Sequence, residues 1–219
     1  LHRQDRFRQE SGRRPLSAGG KAVLAIWVDI DPADQAFFEH WHSREHLGER
    51  VSCPGWLRGS RFRGVETPGR YLLFYDAETA AAFESPEYYA RLGNPTEMSR
   101  AIFPKFRDTW RTVCTVEQRW GEGIGAAALT LRTTVGNTAP FDTLAGLQTA
   151  RVDMLAGQAN LGQAHTAEKD LRAAPDRQIE RALVAFFWSV EAAQAARARH
   201  APEGEVFALR HTVSKGDLA

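Results

Sequence analysis

Ala22-Val23-Leu24-Ala25-Ile26-Trp27-Val28-Asp29-Ile30 is an almost unbroken apolar run rich in β-branched and aromatic residues, and Asp31-Pro32 follows it as a helix-start signal. The stretch reads as a strand leading into a helix that runs to about residue 50. Tyr71-Leu72-Leu73-Phe74-Tyr75 and the run 182–188 have the same character. A four-stranded antiparallel sheet with helices on one face alternates apolar and polar residues, because its other face meets water. These strands do not alternate, so helices must cover one face and something else the other. Burying one large apolar side chain gives about 1.5–3 kcal/mol, and a lone sheet of this kind would leave several exposed. Two sheets meeting within one chain solve this, predicting an α+β fold closed as an intramolecular α/β barrel.

The remaining elements follow from punctuation. Pro54-Gly55 turns the chain into a strand over 57–65, and Thr67-Pro68-Gly69 joins that strand to 71–75 as a hairpin. An Ala-rich helix is expected over 77–84. Ser85-Pro86-Glu87 and Asn94-Pro95-Thr96-Glu97 each start a short helix, and a strand follows at 110–117. The same order then returns: strand 126–133, helix 139–155, strands 161–168 and 181–188, helix 189–200 and strand 205–213. Phe141, Leu144, Leu147, Val152 and Leu155 recur at helical spacing and support the helix over 139–155. The chain thus reads as β-α-β-β-α-β written twice, with Gly121, Gly123 and Gly125 at the join. The expected organisation is a flexible basic tail over 1–20, a unit over 21–119 that carries the candidate site, and a degenerate unit over 124–214.

Composition limits the function classes. In 219 residues, 28 Lys and Arg balance 27 Asp and Glu, which argues against the single-sign field of a nucleic-acid or membrane-surface binder. The tail alone carries net +3, leaving the rest about −2. Two cysteines, Cys53 and Cys114, are too few for a disulfide framework and lack structural-zinc spacing. No apolar run suits a signal peptide or a membrane span, so the expected location is cytoplasmic. No glycine-rich phosphate loop, Ser-centred elbow or dinucleotide fingerprint is present, and no cofactor is expected.

Chemistry-bearing residues concentrate near the end of the first helix, where His40, His42 and His46 hold three of the seven histidines. His42 and His46, four apart, share a helix face that Glu45 borders. The expected roles are an imidazole base and a carboxylate that orients it, with Trp41, Arg61 and Tyr75 shaping a substrate pocket. The plainer reading is a helix-end histidine satisfying the dipole, with Glu45 paired to Arg44, Arg50 or Arg61. His42-Ser43-Arg44-Glu45-His46 also matches a short zinc-peptidase pattern, but no third ligand stands at a suitable spacing, and no metal is expected.

Trp41-His42-Ser43-Arg44-Glu45-His46-Leu47, then Cys53-Pro54-Gly55-Trp56 and Arg61-Phe62, resembles the dimeric α/β-barrel superfamily, particularly its EthD-like branch. The resemblance implies two tandem ferredoxin-like units paired across their sheets. It further implies cofactor-independent catalysis or small-molecule oxygenation of aromatic or polyketide-like compounds; isomerase or cyclase-type activity also falls within its range. The partners expected are a small-molecule ligand and a second copy forming a homodimer of tandem barrels, with no nucleic acid and no membrane. A non-catalytic binder of a small hydrophobic ligand and a purely structural protein are the alternatives. The second unit has no equivalent of the histidine motif, so one active and one supporting half are expected.

Overall fold

The computed structural model describes residues 20–133 and 141–218. Residues 1–19 of the expected tail, and 139–140 of the expected helix, lie outside them. Strands β1 (Ala22–Asp29), β2 (Trp56–Gly64), β3 (Arg70–Ala77) and β4 (Arg107–Gly121) come from the first half of the chain. Strands β5 (Ala127–Thr133), β6 (Thr149–Gly157), β7 (Arg181–Phe187) and β8 (Glu205–Ser214) come from the second. All eight close into one antiparallel barrel in the order β1-β3-β2-β8-β5-β7-β6-β4. The seams between the halves are β2 with β8 and β4 with β6.

Closure explains the apolar runs on both faces. Along β1, Val23, Ala25 and Trp27 point into the barrel, where they meet Phe62, Leu72, Phe74, Phe186 and Phe207. Leu24, Ile26 and Val28 point outward beneath Phe38, Trp41, Phe83 and Phe103. The barrel interior is sealed by charge at each end. Asp76, Arg119, Arg151 and Asp153 interlock at one end. At the other, Arg70 donates to Asp29, Asp108 and Glu205, while Arg132 packs over Trp27 and Trp110. Trp27 therefore belongs to the barrel core, and its Nε1 donates to Thr130 Oγ1 at 3.2 Å.

On the outside of the first half run α1 (Gln35–Trp41), a π turn over His42–His46 and α2 (Leu47–Val51). A 3₁₀ turn at Ala80–Glu84 stands where an α-helix was expected. Helix α3 (Pro86–Gly93) follows, capped by Ser85, and α4 (Glu97–Ile102), capped by Thr96. Gly55, with φ of 77°, makes the left-handed turn into β2. Farther along that strand, a Cβ on Gly59 would sit 2.5 Å from Leu47 Cδ1 and 2.9 Å from the Tyr75 ring. Gly59→Ala is therefore expected to lower stability by about 1–3 kcal/mol through overpacking, as read by urea unfolding.

The second half departs from expectation in two places. The helix over 139–155 is replaced by α5 (Phe141–Ala145), five residues long, followed by β6. The strand over 161–168 is absent: that stretch belongs to a connection that carries α6 (Ala167–Asp170). Val152 and Leu155 match a helical period only because β6 is buried on both faces, Leu155 inward and Val152 outward. Helix α7 (Val190–His200), capped by Ser189, covers the outer face. No helix among the described residues is long and apolar enough to cross a membrane.

Candidate functional site

The motif Trp41 to His46 lies against the outer face of the first-half sheet, and its backbone widens there. Within His42–His46 the helix takes a π turn, with the Leu47 N–H donating to His42 O. Such turns are uncommon and recur at functional sites. Arg61, on the outer face of β2, supports the turn by donating from Nη1 to Glu39 O and Ser43 Oγ, both at 2.9 Å. Lys215 fastens the far end: its Nζ donates to the carbonyls of Val51, Ser52 and Cys53.

Both imidazoles end up buried against the sheet. His42 is fully buried and its Nε2 lies 3.0 Å from Tyr75 Oη. His46 stacks on Trp41, with ring centroids 4.2 Å apart, and its Nε2 accepts from Arg50 Nε at 3.4 Å. That donor fixes the tautomer, placing the His46 proton on Nδ1. Neither Nδ1 has a partner in the structure. Burial holds both histidines well below their ordinary pKa, and the cationic neighbours Arg61 at His42 and Arg50 at His46 push the same way. At neutral pH both rings are uncharged. Burial also raises the Tyr75 phenol, which stays protonated.

Among the described residues Glu45 bonds directly to neither ring. The π turn swings its carboxylate to the hydroxyls of Thr96 and Ser99 at the start of α4. Among the described residues it bonds to no arginine either, and its observed partners are those of neither expectation. Ser99 Oγ also accepts from Trp41 Nε1 at 3.0 Å, so Glu45 reaches the His46 stacking platform indirectly. Of the expected site residues, Trp41, His42, His46 and Tyr75 come together, while Arg61 sits behind His42 as a brace.

The sequence reading missed four polar groups. Arg50 pairs with Glu168 of α6, which the second half delivers over the first. Burial raises the Glu168 carboxyl above its ordinary pKa even against the pull of Arg50. Arg111 on β4 donates to Tyr88 Oη at 2.9 Å. Arg172 lies over the rings of Phe103 and Phe106. A void of about 20 Å³, with room for one water, is walled by His46, Tyr75, Trp41, Arg50, Arg111 and Arg172. Beyond Arg111 and Arg172 opens a cleft of about 410 Å³. Only the alternation of Thr109, Arg111 and Val113 could have marked Arg111, since all three face outward. Among the described residues, no group of three His, Cys, Asp or Glu side chains could hold a metal ion.

No protein-family model and no curated protein matches the sequence. Solved structures do. An anthrone oxidase-like protein superposes with a TM-score of 0.59 at 14% identity, over 91% of this chain and 95% of the other. A monooxygenase candidate from Lactobacillus acidophilus gives 0.51 at 7%, over 89% and 97%. Another from Fusobacterium nucleatum gives 0.51 at 7%, over 90% and 95%. The chain has their fold. At such identities the likeness is architectural.

Proposed function

We propose that the first half carries the active site of a small-molecule enzyme that oxygenates an aromatic or polyketide-like compound by imidazole base chemistry, without a bound cofactor. The repeated strand order supports two tandem ferredoxin-like units, EthD-like in the first and degenerate in the second. One observation carries the reading. The neutral His46 ring adjoins a small void that Tyr75, Arg50, Arg111 and Arg172 also wall, with His42 behind it bonded to the Tyr75 phenol. The His46 Nε2 lone pair accepts from Arg50 at 3.4 Å in the resting protein, so proton abstraction requires that long bond to open. Because a buried histidine with a lowered pKa is a weak base, abstraction also depends on stabilising the anion that forms. Arg50, Arg111 and Arg172 supply positive charge in a low-dielectric setting, where it acts most strongly. Glu45 is a positioning residue, acting on His46 through Ser99 and Trp41.

For an anthrone the balance is complete. The base takes a proton from the benzylic carbon, the carbanion bonds dioxygen to give a peroxide anion, and the imidazolium returns its proton to that peroxide. The resulting hydroperoxide loses water to leave the quinone carbonyl. One anthrone and one dioxygen thus give one anthraquinone and one water. The void is large enough for a dioxygen molecule, and much of its wall is apolar.

The test is oxygen uptake with anthrone as substrate. The protein is expected to consume one dioxygen per anthraquinone formed, with His46→Gln and Tyr75→Phe each slowing the rate at least tenfold while melting cooperatively. Unchanged rates in both variants would remove His46 as the base and Tyr75, the phenol bonded to His42, from the chemistry. Absence of turnover by the intact protein would remove anthrone oxidation.

A further inference from the structure

The cleft of about 410 Å³ outside the void lies between β4 and the β6–β7 connection, and its volume falls within the range of small-molecule sites. Its lining charges are unevenly matched. Asp176 pairs with Arg172, and Asp170 takes the ring of His165, so both acids are engaged. Arg111 and Lys169 have no carboxylate within 4.0 Å among the described residues. Among the described residues, the hydrogen bonds of their side chains go to neutral oxygens: Tyr88 Oη for Arg111 and Gly162 O for Lys169. Arg111 is 7% exposed. By contrast, Arg50, Arg70, Arg119 and Arg151 each face carboxylates. A guanidinium taken from water without an anion is costly, and a carboxylate arriving there would gain charge-assisted bonds. Ala173, Ala174 and Pro175 complete the rim with apolar surface, which suits an organic acid better than an inorganic ion.

We infer that this cleft takes an aryl carboxylate, its acid group held by Arg111 and Lys169 with Arg172 beside them, and its ring against the Ala173–Pro175 rim. The inference rests on the proposed active site, because Arg111 and Arg172 wall both spaces. It makes the substrate class anionic as well as aromatic. The second half then supplies specificity to chemistry housed in the first, since Lys169 and Arg172 both lie on the connection that carries Glu168.

Calorimetric titration with 2-naphthoate and its neutral isostere 2-naphthamide tests this. The intact protein is expected to bind the carboxylate at least tenfold more tightly. Lys169→Gln, at a half-exposed position, and Arg111→Gln are each expected to bring the two ligands within about threefold, with melting temperature checked in parallel. Equal affinities in the intact protein, or a preference that survives Lys169→Gln, would overturn the anion site. Binding of neither compound would overturn it too. In each case oxygen uptake from anthrone still judges the reaction separately.

Discussion

Asp153→Ala is expected to cost about 3–5 kcal/mol of stability, the range for breaking a buried ion pair on one side. Asp153 is fully buried and accepts from both Arg119 and Arg151. The two guanidinium groups hold its carboxyl below the ordinary range against the opposing effect of burial. Removing the carboxylate leaves two arginines with Asp76 alone, around a position that is itself fully buried. Arg151 cannot swing away, because it lies over the rings of Phe74 and Phe186. Guanidinium chloride unfolding of the variant and the intact protein measures the difference. A loss below about 1 kcal/mol would mean that the network is solvated.

The second large effect is expected on acidification. His42 and His46 have folded pKa values lowered by burial, so between those values and the unfolded value of about 6.5 the unfolded chain binds more protons than the native one. Stability contributed by the neutral rings is complete above the unfolded pKa and is lost as pH falls below it. Each ring contributes up to about 1.4 kcal/mol per pH unit, and the pair about twice that. Glu168, with its raised carboxyl, acts in the opposite sense. The cleanest readout is therefore the difference between proteins. Urea unfolding from pH 7 to pH 5 should show a shallower slope in His46→Gln by roughly one histidine's share. Parallel slopes would show that His46 titrates alike in the folded and unfolded chain, and would remove the lowered pKa.

The sequence made the first half legible because its elements are bounded by local chemistry. Pro54-Gly55, Ser85-Pro86 and Thr96 act within a few residues of themselves, and each marks the edge of an observed element, whereas Asp31-Pro32 lies in the turn ahead of α1, which starts only at Gln35. The paired sheets were legible for a different reason: Tyr71 to Tyr75 had no polar face to offer water. In the second half local patterns misled, since a strand buried on both faces has no alternation and can mimic a helix. The π turn was not legible, and with it went the direction of Glu45. Spacing assumes 3.6 residues per turn, and one wider turn redirects a side chain. Arg50 and Glu168 meet across 118 positions, a juxtaposition that no local pattern encodes.

Because β2 zips to β8 and β4 to β6, the sheet has no unpaired rim onto which a foreign strand could add. Open sheets defend such rims with lysines, prolines or bulges to escape fibrillar growth. This polypeptide avoids the hazard by topology, and its strands are thereby free to keep the greasy composition on both faces that the packing of its core requires.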